Sequence, residues 1–169
     1  MNVESALTYP FSNLPEPGAS MSVAPGVHWI RMPLPFALDH INVWLLDAGA
    51  ERVIVDTGIS NEPTRQRWEE VFAGHLMVKT VSAVVATHHH PDHVGNAGWL
   101  VNRFGARFWM AQAEYFSAHA LRDGAAGYAR EQLAAMFLHN GLPEGFSPRI
   151  LAGREHYKRS VPDFPLSFR

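Results

Sequence analysis

The sequence of 169 residues contains no cysteine, and this absence removes several classes of protein. Disulfide-stapled folds, thiolate zinc sites, iron–sulfur proteins and enzymes with a cysteine nucleophile all require the missing side chain. An excess of charge of one sign is also lacking, because 14 lysine and arginine residues face 16 aspartate and glutamate residues. The sequence therefore indicates neither a nucleic-acid partner nor an anionic membrane surface. A small-molecule substrate is the partner that we expect.

Long hydrophobic runs are missing as well. No segment approaches the roughly 18 consecutive apolar residues that a membrane-spanning helix needs. Residues 1–22 contain no lysine or arginine, so they do not resemble a signal peptide, and their prolines predict a flexible N-terminal arm. We expect a cytoplasmic protein in which residues 23–169 belong to one folded unit.

The apolar pattern beyond the arm predicts alternating strands and helices, which is an α/β (α+β) fold with helices covering a sheet. Strands are expected at 27–31, 41–47, 52–56, 80–86 and 107–110, the second and third forming a hairpin. Helices are expected from Asn61 onward and at 96–104, 112–122 and 128–139. In the last helix, the spacing of Leu133, Met136 and Phe137 predicts a buried face.

After Asn140 the sequence predicts little regular structure, because proline and glycine interrupt about thirty residues. Tyr157 and the two basic residues that follow it are interpreted as a solvated face rather than a substrate clamp. The alternation of Phe164, Leu166 and Phe168 predicts an edge strand.

Histidine is the residue present in excess: there are ten, and four of them lie between His88 and His93. The segment Thr87-His-His-His-Pro-Asp-His93 directly follows a buried strand, and ligands of α/β proteins bind at such strand ends. On an extended backbone, His88 and His90 point to one side and His89 to the other. Pro91 bends the chain, so the side chains of Asp92 and His93 can return towards those of His88 and His90. These donors suit zinc, or iron or manganese.

This segment resembles the T-H-x-H-x-D-H signature of the metallo-β-lactamase superfamily of metal-dependent hydrolases. The hairpin that ends in Asp56-Thr-Gly58 resembles the strand pair that ends in D-T-G in the same family. The resemblance covers about residues 25–110. It implies an αββα sandwich, incomplete in its C-terminal half, and an activity like that of glyoxalase II.

The resemblance also implies ligands. His88 and His90 would hold one metal ion, and Asp92 and His93 would contribute to a second ion where one is bound. Asp92 would act in catalysis by orienting the attacking water and, in a one-metal site, by accepting its proton.

Three further residues receive supporting roles by the same resemblance. Asp56 would hold the segment Thr87–His93, called the histidine loop below, through hydrogen bonds without binding the metal. His89 would lie beside the ligands and contact no metal. His40, near the hairpin, is a candidate substrate contact.

The remaining metal ligands of the family have no match in this sequence. His119, His139 and His156 lack the family's G-H-[ST] context and are interpreted as surface or capping residues. We therefore expect an N-terminal portion of a hydrolase, which by itself binds zinc weakly and turns over little. An exposed sheet edge would also permit a homo-oligomer.

The leading hypothesis is a metal-dependent hydrolase that uses one or two zinc ions on an ester, thioester or lactone. One alternative is a mononuclear iron oxidoreductase or dioxygenase of the same fold. Another is a non-catalytic, metal-binding half-domain.

Overall fold

The computed structural model describes residues 9–75, 79–125, 130–146, 148 and 157–166. Six strands form one mixed sheet in chain order: β1 (Ser20–Ala24), β2 (Val27–Pro33), β3 (His40–Ala48), β4 (Glu51–Val55), β5 (Thr80–Val85) and β6 (Arg107–Trp109). The pairs from β1 to β4 are antiparallel, and β4, β5 and β6 are parallel. The predicted α+β class and the β3–β4 hairpin are confirmed.

Helices connect the parallel strands and continue after them: α1 (Glu62–His75), α2 (Pro91–Val94), α3 (Ala97–Phe104), α4 (Gln112–Asp123) and α5 (Arg130–His139). A short 3-10 helix follows at Glu144–Phe146, and residues 157–160 are helical. The side chain of Asn61 caps α1 by accepting the backbone N–H of Thr64 at 2.9 Å. Gly105 ends α3 in the left-handed conformation, with φ of 62°.

The hydrophobic core lies between one face of the sheet and the helices, where α1 contacts β2 and α3 contacts β5. Its fully buried members alternate along the strands and recur at helical spacing; they include Ile30, Met32, Val43, Leu45, Ile54, Val84, Trp68, Val71 and Leu100. On the opposite face of the sheet, Trp29 and Trp44 are half-buried and stack with ring centroids 6.5 Å apart.

The buried face predicted for α5 is wrong. Met136 and Phe137 are 49% and 43% exposed, and Leu133 is half-buried, whereas Ala134 is buried. The physical reason is that apolar residues occupy 133–138 without interruption, so they surround the helix and do not select one face.

Residues 157–166 differ from the prediction in part, because several of them pack against the body of the domain. Lys158 and Arg159 are exposed as predicted, but Tyr157 is buried, and Phe164 is buried against the rings of Phe108 and Tyr115. Leu166 is 91% exposed, and neither Phe164 nor Leu166 is in a strand. Phe168, the last residue of the predicted strand, lies outside the described residues.

At the other end of the chain, β1 begins at Ser20, inside the predicted arm of residues 1–22. None of the helices in the described ranges is long and apolar enough to cross a membrane.

Candidate metal centre

The histidine loop and the D-T-G turn meet at one edge of the sheet. Strands β4 and β5 are parallel and end at Val55 and Val85, so the segments that follow them emerge side by side. The backbone N–H of Asp56 donates to Val85 at 2.8 Å, and that of Thr57 donates to His93 at 2.8 Å. This is the strand-end position at which the sequence predicted a ligand site.

Asp56 links the two segments through its side chain. Its carboxylate accepts the backbone N–H of Thr87 at 2.8 Å, the hydroxyl of Thr87 at 2.9 and 3.0 Å, and Nδ1 of His93 at 2.8 Å. Asp56 is buried and has a φ of 62°, the left-handed region that non-glycine residues rarely occupy. This backbone conformation directs the carboxylate from the end of β4 into the histidine loop.

The hydrogen bond from His93 has a chemical consequence. A carboxylate only accepts hydrogen bonds, so a neutral His93 must carry its proton on Nδ1 and leave the lone pair of Nε2 available. That Nε2 lies 3.6 Å from Oδ2 of Asp92. The available nitrogen of His93 and the carboxylate of Asp92 therefore lie next to each other.

The imidazole rings of three predicted ligands converge. The ring centroids of His88 and His93 are 3.9 Å apart, and those of His88 and His90 are 4.6 Å apart. Burial, together with His93 and His90, holds the pKa of His88 below its ordinary value. The neutral form of imidazole, which is the form that binds metals, is therefore favoured at His88.

The donor set fits a metal ion by its chemistry, because imidazole nitrogens and a carboxylate oxygen are typical zinc ligands. Within the described ranges, however, no three histidine, aspartate or glutamate side chains form a group that could hold a metal ion. The part of the chain that the structure describes thus brings donors together without presenting a complete three-ligand cage.

A layer of buried polar groups fixes the D-T-G turn below the loop. The Nδ2 group of Asn96, which is fully buried, donates to the carbonyls of Thr57, Gly58 and Ile59 at 3.2, 3.2 and 2.8 Å. The hydroxyl of Thr57 donates to the carbonyl of His93 at 2.8 Å and accepts the N–H of Asn96 at 3.1 Å. The turn and the histidine loop are therefore connected by both backbone and side chain.

His89 is held by a carboxylate of α4. Its ring centroid lies 6.4 Å from that of His88 and 5.1 Å from that of His90, and its Nδ1 lies 2.6 Å from Oε2 of Glu114. Asn96, Glu114 and Tyr157 also contact the loop or the turn. None of these contacts was predicted, because no local sequence pattern marks the long-range contacts of Glu114 and Tyr157.

His40 lies apart from the loop. It begins β3 beside Pro33, contacts the carboxylate of Asp39 at 2.5 Å, and lines a pocket of about 250 Å³ that Arg31 and Arg67 also line. No contact among the described residues joins His40 to the histidine loop.

Of the other histidines, His119 packs against the rings of Tyr115 and Phe164, and His139 is exposed. His156 lies outside the described residues.

Comparison with known proteins agrees with this geometry. The family model described as the metallo-beta-lactamase superfamily matches residues 37–160, which include the whole of the candidate metal centre. The chain belongs to the metallo-beta-lactamase superfamily. The fold family expected from the two motifs is thereby confirmed, and the described residues of this superfamily member contain one helix-covered sheet.

Curated relatives in the superfamily match a smaller part of the chain. A probable metallo-hydrolase of Bacillus subtilis is 35% identical over 66 residues, which are 39% of this chain and 21% of that protein. A hydroxyacylglutathione hydrolase of a Synechococcus strain is 31% identical over 81 residues, which are 48% of this chain and 29% of the relative. The matched segments thus span under a third of either relative.

Solved structures of the superfamily match nearly all of the chain. A beta-lactamase domain protein from Burkholderia ambifaria is 40% identical with a TM-score of 0.77, covering 99% of this chain and 47% of that one. A metallo-beta-lactamase family protein from Thermus thermophilus is 29% identical with a TM-score of 0.63, covering 88% of this chain and 47% of the other. The chain therefore spans about half the length of both solved relatives.

Proposed function

We propose that this chain carries the histidine half of the active site of a metal-dependent hydrolase. The observation that supports the proposal best is the convergence of His88, His90 and His93 at the carboxyl edge of β4 and β5, with His93 oriented by the buried Asp56. A divalent ion bound there would supply Lewis-acid chemistry and lower the pKa of water towards neutral. The resemblance assigns His88 and His90 to one ion, and Asp92 and His93 to a second.

The protein residues have separate tasks in this proposal. His88 and His90 would hold the ion through neutral imidazoles. Asp92, whose Oδ2 lies 3.6 Å from Nε2 of His93, would orient the attacking water and, where one ion is bound, accept its proton. Asp56 fixes the tautomer of His93 and the position of Thr87. Zinc is the metal that this donor set favours, and iron and manganese remain alternatives.

The proposed substrate is a small ester, thioester or lactone. Two curated relatives are named hydroxyacylglutathione hydrolase, which favours an acyl compound attacked at its carbonyl carbon. His40 is the proposed substrate contact, since it begins β3 at the edge of the sheet where β4 ends. The competing function is a mononuclear iron oxidoreductase, for which the same histidine loop would bind iron.

The test compares the chain with His88→Ala, His90→Ala and His139→Ala, the last being a control because His139 is exposed at the end of α5. Each protein is titrated with Zn²⁺, Fe²⁺ and Mn²⁺, and hydrolysis of a 4-nitrophenyl ester and an S-acyl glutathione is followed. We expect the unsubstituted chain and the control to bind zinc weakly and to hydrolyse these substrates slowly, and the first two variants to lose both that binding and that hydrolysis. Metal binding that survives both loop substitutions would refute the proposal, and iron binding with consumption of O₂ would support the oxidoreductase.

A further inference from the structure

His89 is held from two sides although it binds no metal in the proposed site. Oε2 of Glu114 accepts both the backbone N–H of His89 at 3.0 Å and its ring Nδ1 at 2.6 Å. The hydroxyl of Tyr157 donates to the backbone carbonyl of His89 at 2.7 Å. The backbone N–H, the carbonyl and the ring of one residue are therefore all engaged.

The two partners come from distant parts of the chain and are in the right protonation states. Glu114 lies in the first turn of α4, and the hydrogen bonds from His89 hold the pKa of its carboxyl below the ordinary value, so it accepts as a carboxylate. Burial and the nearby charge of Glu114 raise the pKa of Tyr157, so its phenol keeps the proton that it donates. Tyr157 is only 6% exposed.

The segment that carries Tyr157 is itself firmly docked. A Cβ on Gly95 would lie 2.8 Å from the carbonyl oxygen of Ser160, and one on Gly98 would lie 1.9 Å from that of Asp163, so both glycines permit a close backbone approach. Arg122 donates to the carbonyl of Pro162 at 2.8 Å. The segment that carries Tyr157 is therefore closely packed against the rest of the domain.

We propose that Glu114 and Tyr157 are positioning residues for the metal centre, acting together through His89; we call this pair the His89 clamp. His89 lies between the two proposed ligands, His88 and His90, so a rotation of either of its peptide groups would turn one of their imidazoles away from the other. The clamp blocks that rotation because both peptide groups are hydrogen-bonded. This inference rests on the proposed function, since positioning matters only if His88 and His90 bind an ion.

The test uses Tyr157→Phe, Glu114→Gln and Glu114→Ala, with Tyr115→Phe as a matched control. Tyr115 is also buried, and its hydroxyl donates to the carbonyl of Pro165 at 3.0 Å, so the control removes a hydrogen bond to the same segment without touching the loop. Two properties are measured in the full chain: amide hydrogen exchange at His89 and His90, and the Kd for Zn²⁺ from NMR signals of the histidine rings. The absorption spectrum of the Co²⁺ form reports the geometry of the ligands.

We expect Tyr157→Phe and Glu114→Ala to speed amide exchange in the loop, weaken Zn²⁺ binding about 10-fold and alter the Co²⁺ spectrum. Glu114→Gln, which keeps one oxygen to accept the N–H of His89, should restore part of the affinity. Tyr115→Phe should leave the Kd and the spectrum unchanged. If the clamp variants keep the Kd and the spectrum of the unsubstituted chain, the positioning role is refuted even if they are less stable. If the unsubstituted chain shows no binding that depends on His88, the proposed function fails, and the positioning role fails with it.

Discussion

His93 donates to Asp56 across a distance of 2.8 Å, and this bond joins the two segments that follow neighbouring parallel strands. The carboxylate reaches the imidazole because Asp56 adopts a left-handed backbone conformation directly after the last residue of β4. The same carboxylate accepts two groups of Thr87, at the start of the loop. One side chain therefore sets both the path of the histidine loop and the tautomer of its last histidine.

Replacing Asp56 with asparagine is expected to damage metal binding more than folding. Asparagine tolerates the left-handed conformation, but it has a single acceptor oxygen. If that oxygen accepts the N–H of Thr87, the amide group faces Nδ1 of His93 and favours the tautomer with the proton on Nε2. We expect the Kd for Zn²⁺ to rise about 10- to 100-fold, as measured by competition with a chelator.

The variant Asp56→Ala separates the two roles of this residue. Alanine in the left-handed region costs about 1–2 kcal/mol, and the buried N–H of Thr87 loses its partner. Urea unfolding should therefore show a clearly lower free energy of unfolding for Asp56→Ala than for Asp56→Asn. Equal stability of the two variants, with unchanged zinc affinity in both, would contradict the role given to this carboxylate.

Asn96 is expected to be among the most important polar residues for stability. Its two amide N–H groups are shared among the carbonyls of Thr57, Gly58 and Ile59 in a fully buried position, and the carbonyl of Thr57 also accepts Nε1 of Trp68. Asn96→Ala should lower the free energy of unfolding by about 3 kcal/mol, because an unsatisfied buried polar group costs about 1–3 kcal/mol. Asn102→Ala is the control, since Asn102 is exposed on α3, the helix that directly follows Asn96, and its effect should stay within about 0.5 kcal/mol.

The decrease in the free energy of unfolding at acid pH should depend on Asp47. Partial desolvation alone would raise the pKa of this carboxyl, but Lys79, Arg52 and His28, at 3.3, 3.1 and 3.8 Å, lower it below the ordinary value. A lowered carboxyl pKa adds stability above the unfolded-state pKa of about 4, and this contribution disappears as the pH falls through the folded-state pKa.

Asp47→Asn should therefore flatten the loss of stability between about pH 5 and pH 3, measured by urea unfolding at each pH. The control is Glu51→Gln, which removes an exposed carboxylate from the same hairpin. If the free energy of unfolding falls equally steeply with decreasing pH in Asp47→Asn and in the unsubstituted chain, this prediction is wrong.

The sheet and its helices could be predicted because their signals are local. Val53, Ile54 and Val55 form an apolar run that marks a buried strand, and Asn61 marks the start of α1. The face of α5 could not be predicted, since apolar residues surround that helix and only tertiary contacts decide which of them are buried. The docking of Phe164 likewise depends on rings more than forty residues away in the sequence.

The residues of the candidate site also fall into two groups, those that a local sequence motif predicts and those that it does not. His88, His90, Asp92 and His93 stand in one short motif, and Asp56 stands in a second, so their types and spacing marked them. Glu114 and Tyr157 lie 25 and 68 residues from His89, in segments whose composition suggests nothing about metals. The sequence therefore predicts the proposed donors, whereas the residues that hold His89 can be identified only from the folded chain.

Gly95 should be intolerant of any side chain, because three backbone atoms surround the space where a Cβ would lie. The oxygen of Pro91, the nitrogen of Ser60 and the oxygen of Ser160 would be 2.4, 2.7 and 2.8 Å away, and none of them can move as a side chain does. Gly95→Ala should lower the free energy of unfolding by about 1–3 kcal/mol, the usual cost of overpacking. It should also speed amide exchange at His89, since displacing Ser160 would shift the segment that carries Tyr157.

Gly74→Ala in α1 is the control, because nothing lies within 4 Å of its added Cβ, and it should stabilise the protein by about 0.5–1 kcal/mol. If both substitutions changed stability alike, the close approach between the histidine loop and residues 157–166 would not be a packing constraint.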